Sequence, residues 1–248
     1  MECTAPKVGN VTPEQSFEDL TYDHFVQSAP ITAKWLSRAS IDGVGFVIEQ
    51  AAREIMETVG QNTHLGILLL LAPLAAARDR DDLPRVLESL TVADAKHAYY
   101  AIRIMEPGGL GDADEQDVRE EPTETLLECM RLAADRDTIA LQYANGFADV
   151  FRFVDEVPAL VIEQLGWDGL AVALHVNVLS EIPDTLIARK CGQETAELAS
   201  LLARQVRESG YGPEVRHEFD NWLRADGHRR NPGTVSYTHL TLPTICSV

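Results

Sequence analysis

No stretch of this chain is long and apolar enough to span a bilayer as a single helix, which takes roughly 18 to 20 residues. The one nearly unbroken greasy run, Leu65 to Ala77, is interrupted by Gly66 and Pro73 and cut off by Arg78-Asp79-Arg80-Asp81-Asp82. It is expected to be a buried helix of a globular protein, with no membrane as partner. Cysteine is sparse: Cys3, Cys129, Cys191 and Cys246 are scattered, with no CxxC pair. A disulfide scaffold is excluded and a reducing compartment, the cytoplasm, is the expectation. Met1 is followed by Glu2-Cys3-Thr4-Ala5-Pro6 rather than by a basic stretch and an apolar core, so no secretory signal is expected. Positive charge is also short, with 21 Lys and Arg against 39 Asp and Glu and a net charge of −18. Broad binding to nucleic acid or to anionic lipid needs a basic face, which this balance denies. A polyanionic ligand must therefore find a local cationic pocket or arrive with a metal ion. Alternating strand patterns are hard to find, and no period of 20 to 50 residues repeats, which argues against a solenoid.

What is abundant is helical rhythm. Val44, Val47, Ile48, Ala51, Ile55 and Val59 recur at helical spacing, and Gly60 stands where such a helix stops. The same rhythm returns around 92 to 105, 123 to 134, 138 to 153, 169 to 179, 194 to 208 and 214 to 224. Thr91 with Asp94 has the spacing of an N-terminal cap, and Gly210 and Gly227 follow helical stretches as stops. The fold class is all-α: a single-domain helical bundle over residues 1 to 234, with the site built from interhelical loops.

Those loops carry the chemistry. Asn62-Thr63-His64 precede the greasy helix, where they can cap it or, with its free N–H groups, form an anion site to which the imidazole adds a donor or general base. In "PGGLGDADEQD" the glycines lack the Lys-Ser/Thr ending of a phosphate loop, and Asp112, Asp114 and Asp117 match a calcium loop only superficially. One Mg²⁺ bound with substrate phosphates, however, needs only one or two carboxylates. "AADRDTIALQY" puts Asp135 and Asp137 beside Arg136 within a helical run, either as surface ion pairs or, for Asp137, as a metal ligand or base. Arg189-Lys190 and His228-Arg229-Arg230 are the clearest basic clusters, and guanidinium forks suit phosphate oxygens. Together with Lys7 they point to a phosphate-rich ligand.

In order along the chain, "APKVGNV", "NTHLG", "PGGLG", "RDTIALQY", "IPDTLIARKCG" and "RRNPGT" resemble the triphosphoribosyl-dephospho-CoA synthase family, over nearly the whole length to Thr234. The resemblance implies an all-α transferase that takes ATP, joins its triphosphoribosyl part to a ribose hydroxyl of dephospho-CoA or a related acceptor, and releases adenine. The product serves prosthetic-group or cofactor synthesis. The family's N-T-H-K-G pattern falls on Asn62, Thr63, His64, Leu65 and Gly66, so its lysine is missing. Its P-K-P-G-L pattern falls on Pro6, Lys7, Val8, Gly9 and Asn10, with Val8 in place of a proline and Asn10 in place of an apolar residue. The resemblance implies proton transfer by His64 or Asp137. Substrate contacts fall on Lys7, Gly9, Asn10, Asn62, Thr63, Gly66, Arg189, Lys190, Arg229, Arg230 and Asn231, and Mg²⁺ ligands on Asp112, Asp135 or Asp137. A helical metal-dependent hydrolase of phosphorylated compounds and a non-catalytic helical interaction module are the alternatives.

The end of the chain, "VSYTHLTLPTICSV" (235 to 248), breaks this pattern at Val235 and is expected to be a non-native, adapter-like tail on a fragment.

Overall fold

In the computed structural model the described residues are 4–107, 115–156, 159–227 and 229–233. They contain no strand. Their helices are α1 (Tyr22–Leu36), α2 (Ala39–Asp42), α3 (Val44–Thr58), α4 (Leu65–Ala76), α5 (Leu83–Glu88), α6 (Val92–Met105), α7 (Leu126–Ala133), α8 (Thr138–Ala144), α9 (Ala148–Glu156), α10 (Ala159–Glu181), α11 (Thr185–Cys191), α12 (Gln193–Glu208) and α13 (Pro213–Arg224). The expected all-α class holds. Asp112 and the residues from 235 onward lie outside the described residues.

The described residues from Asp23 to Asp149 form one compact unit, and those up to Tyr22 with those from Val150 onward form another. We call them the middle and the terminal unit.

In the middle unit the greasy run becomes α4, and Leu65 to Leu70, Ala72 and Pro73 are all buried. A helix that is apolar all round is stable only when covered on all sides, and α2, α3, α5, α6 and α8 each pack against it. Pro73 has no N–H to give to the carbonyl of Leu69 one turn earlier. The hydroxyl of buried Tyr143 on α8 donates to that carbonyl at 2.5 Å, so the proline's missing bond is replaced from a neighbouring helix. Helices α3 and α6 cross where Gly45 meets Asp94: a Cβ on Gly45 would stand 2.4 Å from Asp94 Cα, and the Gly45 N–H donates to Asp94 Oδ1 at 2.9 Å. Asp94 also closes the capping box with Thr91 that the sequence spacing predicts. Gly60 stops α3 as expected, with φ of 70° and its N–H on Met56 O at 3.1 Å.

The terminal unit is built on α12, which packs against α10, α11 and α13. Helix α10 is broken at Gly166, whose φ of 63° and ψ of −176° no helix contains. Arg152 and Arg207 both hold Glu181, at 2.8 and 2.9 Å, so α9, the end of α10 and α12 share one ion-pair node.

Candidate functional site

In the terminal unit the segment after Ala5 turns sharply at Gly9, where φ is 71°. A side chain there would be strained by the backbone and would also meet Leu223 Cδ1 at 2.7 Å and Pro232 Cδ at 3.0 Å. The turn is held by α13. Asp220 Oδ1 accepts from Gly9 N–H at 2.7 Å, both Asp220 oxygens accept from Arg224 Nε at 2.9 Å, and Arg224 Nη2 donates to Asn10 O at 2.5 Å. The Asn10 side chain itself folds back, Nδ2 donating to Val8 O at 3.3 Å.

This clamp buries Lys7, which is 1% exposed. Burial pushes the Lys7 ammonium well below its ordinary pKa. Close to it, His175 on α10 is fully buried, its Nε2 donating to Val8 O at 3.2 Å. Burial first, and the neighbouring Lys7 charge second, push the His175 pKa down to about 3.

The basic motifs of the later chain gather in the same unit. Asp184, fully buried, caps α11 by accepting from Leu186 and Ile187 N–H at 2.8 and 3.0 Å, which sets Arg189 and Lys190 in the last turn. Lys190 is half-buried, and burial lowers its pKa despite the raising influence of Cys191, Asp184 and Asp19. Arg229 Nη2 donates to Lys190 O at 3.0 Å and its Nη1 lies 3.4 Å from Asp226. Arg230 donates to Trp222 O at 2.9 Å and lies 4.6 Å over the Trp222 ring. A Cβ on Gly233 would stand 2.7 Å from Leu186 Cδ2, while Pro232 touches the Gly9 turn. Segments 5–12 and 229–233 and the C-terminal end of α11 (189–192) are thus brought together beside α13. Asn231 Oδ1 is buried with no hydrogen-bond partner among the described residues.

In the middle unit the polar trio has split roles. Asn62 Oδ1 accepts from Leu65 N–H at 3.4 Å, a long cap on α4. Thr63 and His64 do not cap it. Thr63 Oγ1 donates to Ser28 Oγ at 2.6 Å, and Ser28 donates in turn to His24 O at 2.8 Å. His64 Nδ1 pairs with Thr32 Oγ1 at 2.7 Å, and its ring is tilted against Phe25, 5.8 Å between centroids. Ser28 and Thr32 lie one turn apart on α1, and both are buried, as are Thr63 and His64. The sequence reading missed this α1 face; its only signal is the four-residue spacing His24, Ser28, Thr32. Gly66 is buried inside the first turn of α4, and Leu65, where the family pattern has lysine, is buried as well.

Asp135 and Asp137 are not within a helical run. Helix α7 ends at Ala133, and Asp137 starts α8 by accepting from Ile139 and Ala140 N–H at 2.9 and 3.1 Å. Local capping wins because Asp before the first helical residue satisfies N–H groups that no carbonyl can reach. Asp135 is exposed. Among the described residues no group of three or more His, Cys, Asp or Glu side chains is arranged to hold a metal. A resident all-protein Mg²⁺ cage therefore finds no ligands in these residues, whereas an ion carried by phosphates and touching one carboxylate remains compatible with them.

A family model for ATP:dephospho-CoA triphosphoribosyl transferase (CitG) matches residues 1–236. The chain belongs to that family. Its fold is similar to a crystal structure from Archaeoglobus fulgidus of a protein assigned as a triphosphoribosyl-dephospho-CoA synthase, with 24% identity, a TM-score of 0.72 and coverage of 90% of this chain and 97% of that one. No curated protein matches the chain. Membership of the transferase family identifies the chain as an enzyme of ATP-dependent triphosphoribosyl transfer to dephospho-CoA and displaces the hydrolase and interaction-module alternatives. Among the described residues no single helix is long and apolar enough to cross a membrane.

Proposed function

We propose that the segments 5–12, 189–192 and 229–233 of the terminal unit hold phosphates of the substrates and, on the family pattern that falls on Asn62-Thr63-His64, that His64 serves in proton transfer. In the transfer, a ribose hydroxyl of dephospho-CoA forms a bond to the anomeric carbon of ATP's ribose as the bond from that carbon to adenine breaks. The hydroxyl proton leaves and the departing adenine gains one, so a single group that accepts and then returns a proton balances the step. A neutral imidazole suits that exchange near pH 7. Positive charge develops on the ribose, and the triphosphate must be held by cations while it does.

The observation that carries the phosphate-binding reading is the gathering of Lys7, Lys190, Arg229 and Arg230 on three neighbouring segments of one unit in a chain whose net charge is −18. Lys7 adds a specific argument. Burial holds the Lys7 pKa down, and a phosphate beside it favours the charged form, so phosphate binding there would draw a proton onto it. Free thiols at Cys129 and Cys191 fit a cytoplasmic enzyme.

The test is to incubate the full chain with ATP, Mg²⁺ and dephospho-CoA and to follow free adenine by chromatography. Adenine formed only with both substrates supports the reading; adenine formed equally with water alone as acceptor would overturn the acceptor assignment.

A further inference from the structure

A groove of about 300 Å³ lies in the terminal unit between the Lys7 segment and α13, with Glu14, Arg216, His217, Asp220 and Arg224 in its wall. A volume at the small end of ligand sites accommodates part of a nucleotide, such as a phosphate chain, rather than all of it.

The cations near this groove differ in what already occupies them. Arg224 is engaged twice over, by the Asp220 carboxylate and by Asn10 O. Arg229 and Arg230 are turned to the chain's own carbonyls at Lys190 and Trp222. Arg216 is partly buried, and its guanidinium makes no ion pair or hydrogen bond among the described residues. Most arginines of this acidic chain have a carboxylate or carbonyl in reach, so a partly buried fork with no partner among the described residues, on a groove wall, is set for an anion. His217, the next residue, is exposed on the same wall. Asp220 does not oppose an incoming anion strongly, because the Gly9 N–H and Arg224 already neutralise it. Planar guanidinium forks with an ammonium nearby match the paired oxygens of a phosphate chain.

We infer that Arg216 is a substrate-binding residue, receiving in this groove, with Lys7, the polyphosphate chain of one of the two substrates. This rests on the phosphate-binding reading above and adds a residue and a groove to it. The chemistry is shared by the triphosphate of ATP and the diphosphate of dephospho-CoA.

Steady-state kinetics of Arg216→Gln and Arg216→Lys in the full chain, with inorganic tripolyphosphate as competitor, test it. The expected result is a KM raised roughly tenfold to hundredfold in Arg216→Gln for one substrate, partial recovery in Arg216→Lys, and a matching loss of tripolyphosphate inhibition. The melting temperature should not move, since no partner among the described residues is lost. A rise for ATP alone assigns the groove to the triphosphate; a rise for dephospho-CoA alone assigns it to the acceptor's diphosphate. Unchanged KM for both, with unchanged inhibition, overturns the inference while the reaction itself stands. If the unaltered chain forms no adenine, calorimetry of tripolyphosphate binding to it and to Arg216→Gln decides the groove independently. Equal binding, or none to either, overturns it.

Discussion

His64 Nδ1 lies 2.7 Å from Thr32 Oγ1, joining the start of α4 to the middle of α1 inside the middle unit. At Nδ1 the imidazole is thereby oriented by a hydroxyl. A hydroxyl can donate to Nδ1 or accept from it, so the bond survives a change of tautomer, which a carboxylate partner would resist. That property suits a ring asked to accept a proton and then return it.

Thr32→Val removes the hydroxyl while keeping the side chain's shape. It should cost about 1 to 3 kcal/mol, because the buried His64 nitrogen loses its partner. If His64 moves the proton, kcat should also fall and its pH profile should shift, measured on the folded fraction. A stability loss with an unchanged pH profile would make the pair purely structural.

Asp137 separates capping from chemistry in a different way. Asp137→Ala should lower stability by about 1 kcal/mol, the usual worth of an N-cap. Asp137→Ser restores an oxygen to the Ile139 and Ala140 N–H groups without restoring a carboxylate. Calorimetric melting should return to that of the unaltered chain, and adenine release should return with it. A stable but inactive Asp137→Ser would reinstate the carboxylate as a base or metal ligand.

Much of this architecture is legible in the sequence because its signals are local. The 3.6-residue rhythm marks α3, α6, α12 and α13 closely, and Thr91 with Asp94 marks a cap by spacing alone. Helix α4 is legible as buried because no polar face interrupts it. Helix α1 is not, since Pro30 stands inside it and its buried face mixes polar Ser28 and Thr32 with Phe25 and Ile31, which blurs the apolar stripe of a buried helix. Helices α5 and α11 are too short to show a period. Of the candidate site, the basic loops are legible as charge in an acidic chain. The clamp of Asp220 and Arg224 on the Gly9 turn is not, because its partners are 211 and 214 residues apart and nothing local links them. Arg216 fails for the opposite reason. In sequence it is one more arginine on an amphipathic helix, and what sets it apart is a guanidinium on a groove wall with no partner among the described residues.

Acid stability should report the buried His175. Its pKa falls from 6.5 to about 3 on folding, chiefly through burial. Between those values the unfolded chain binds a proton that the folded chain does not, so stability falls as pH drops below 6.5. The window from about 6.5 down to 5 is informative, because carboxylates held low by folding, such as Glu49 and Glu181, act only below their ordinary range. Lys7 has the same sign over its own range, since its depressed pKa also leaves the unfolded chain with the extra proton. Melting temperature against pH should therefore slope upward with pH in that window, and His175→Gln should flatten it. A slope unchanged in His175→Gln would mean that the imidazole is charged in the folded chain.

A dependence of ATP binding on Mg²⁺ is predicted from charge rather than from a cage. ATP is a polyanion approaching a chain with a net charge of −18, and its phosphates need cations beyond those that the loops supply. With no three-ligand cluster among the described residues, and with Asp135 exposed and Asp137 capping α8, an ion would come on the nucleotide and touch at most one or two carboxylates. Two measurements follow. Calorimetry should show ATP affinity falling by about tenfold or more when EDTA is present, through loss of charge neutralisation at the phosphates. Thermal melting without ATP should be the same with and without EDTA, because no metal is being removed from the fold. If chelation lowers the melting point of the unliganded chain, a resident site exists and the nucleotide-borne account fails. If ATP binds equally well in EDTA, the loops alone neutralise the triphosphate, and Asp112, Asp135 and Asp137 have no metal to hold.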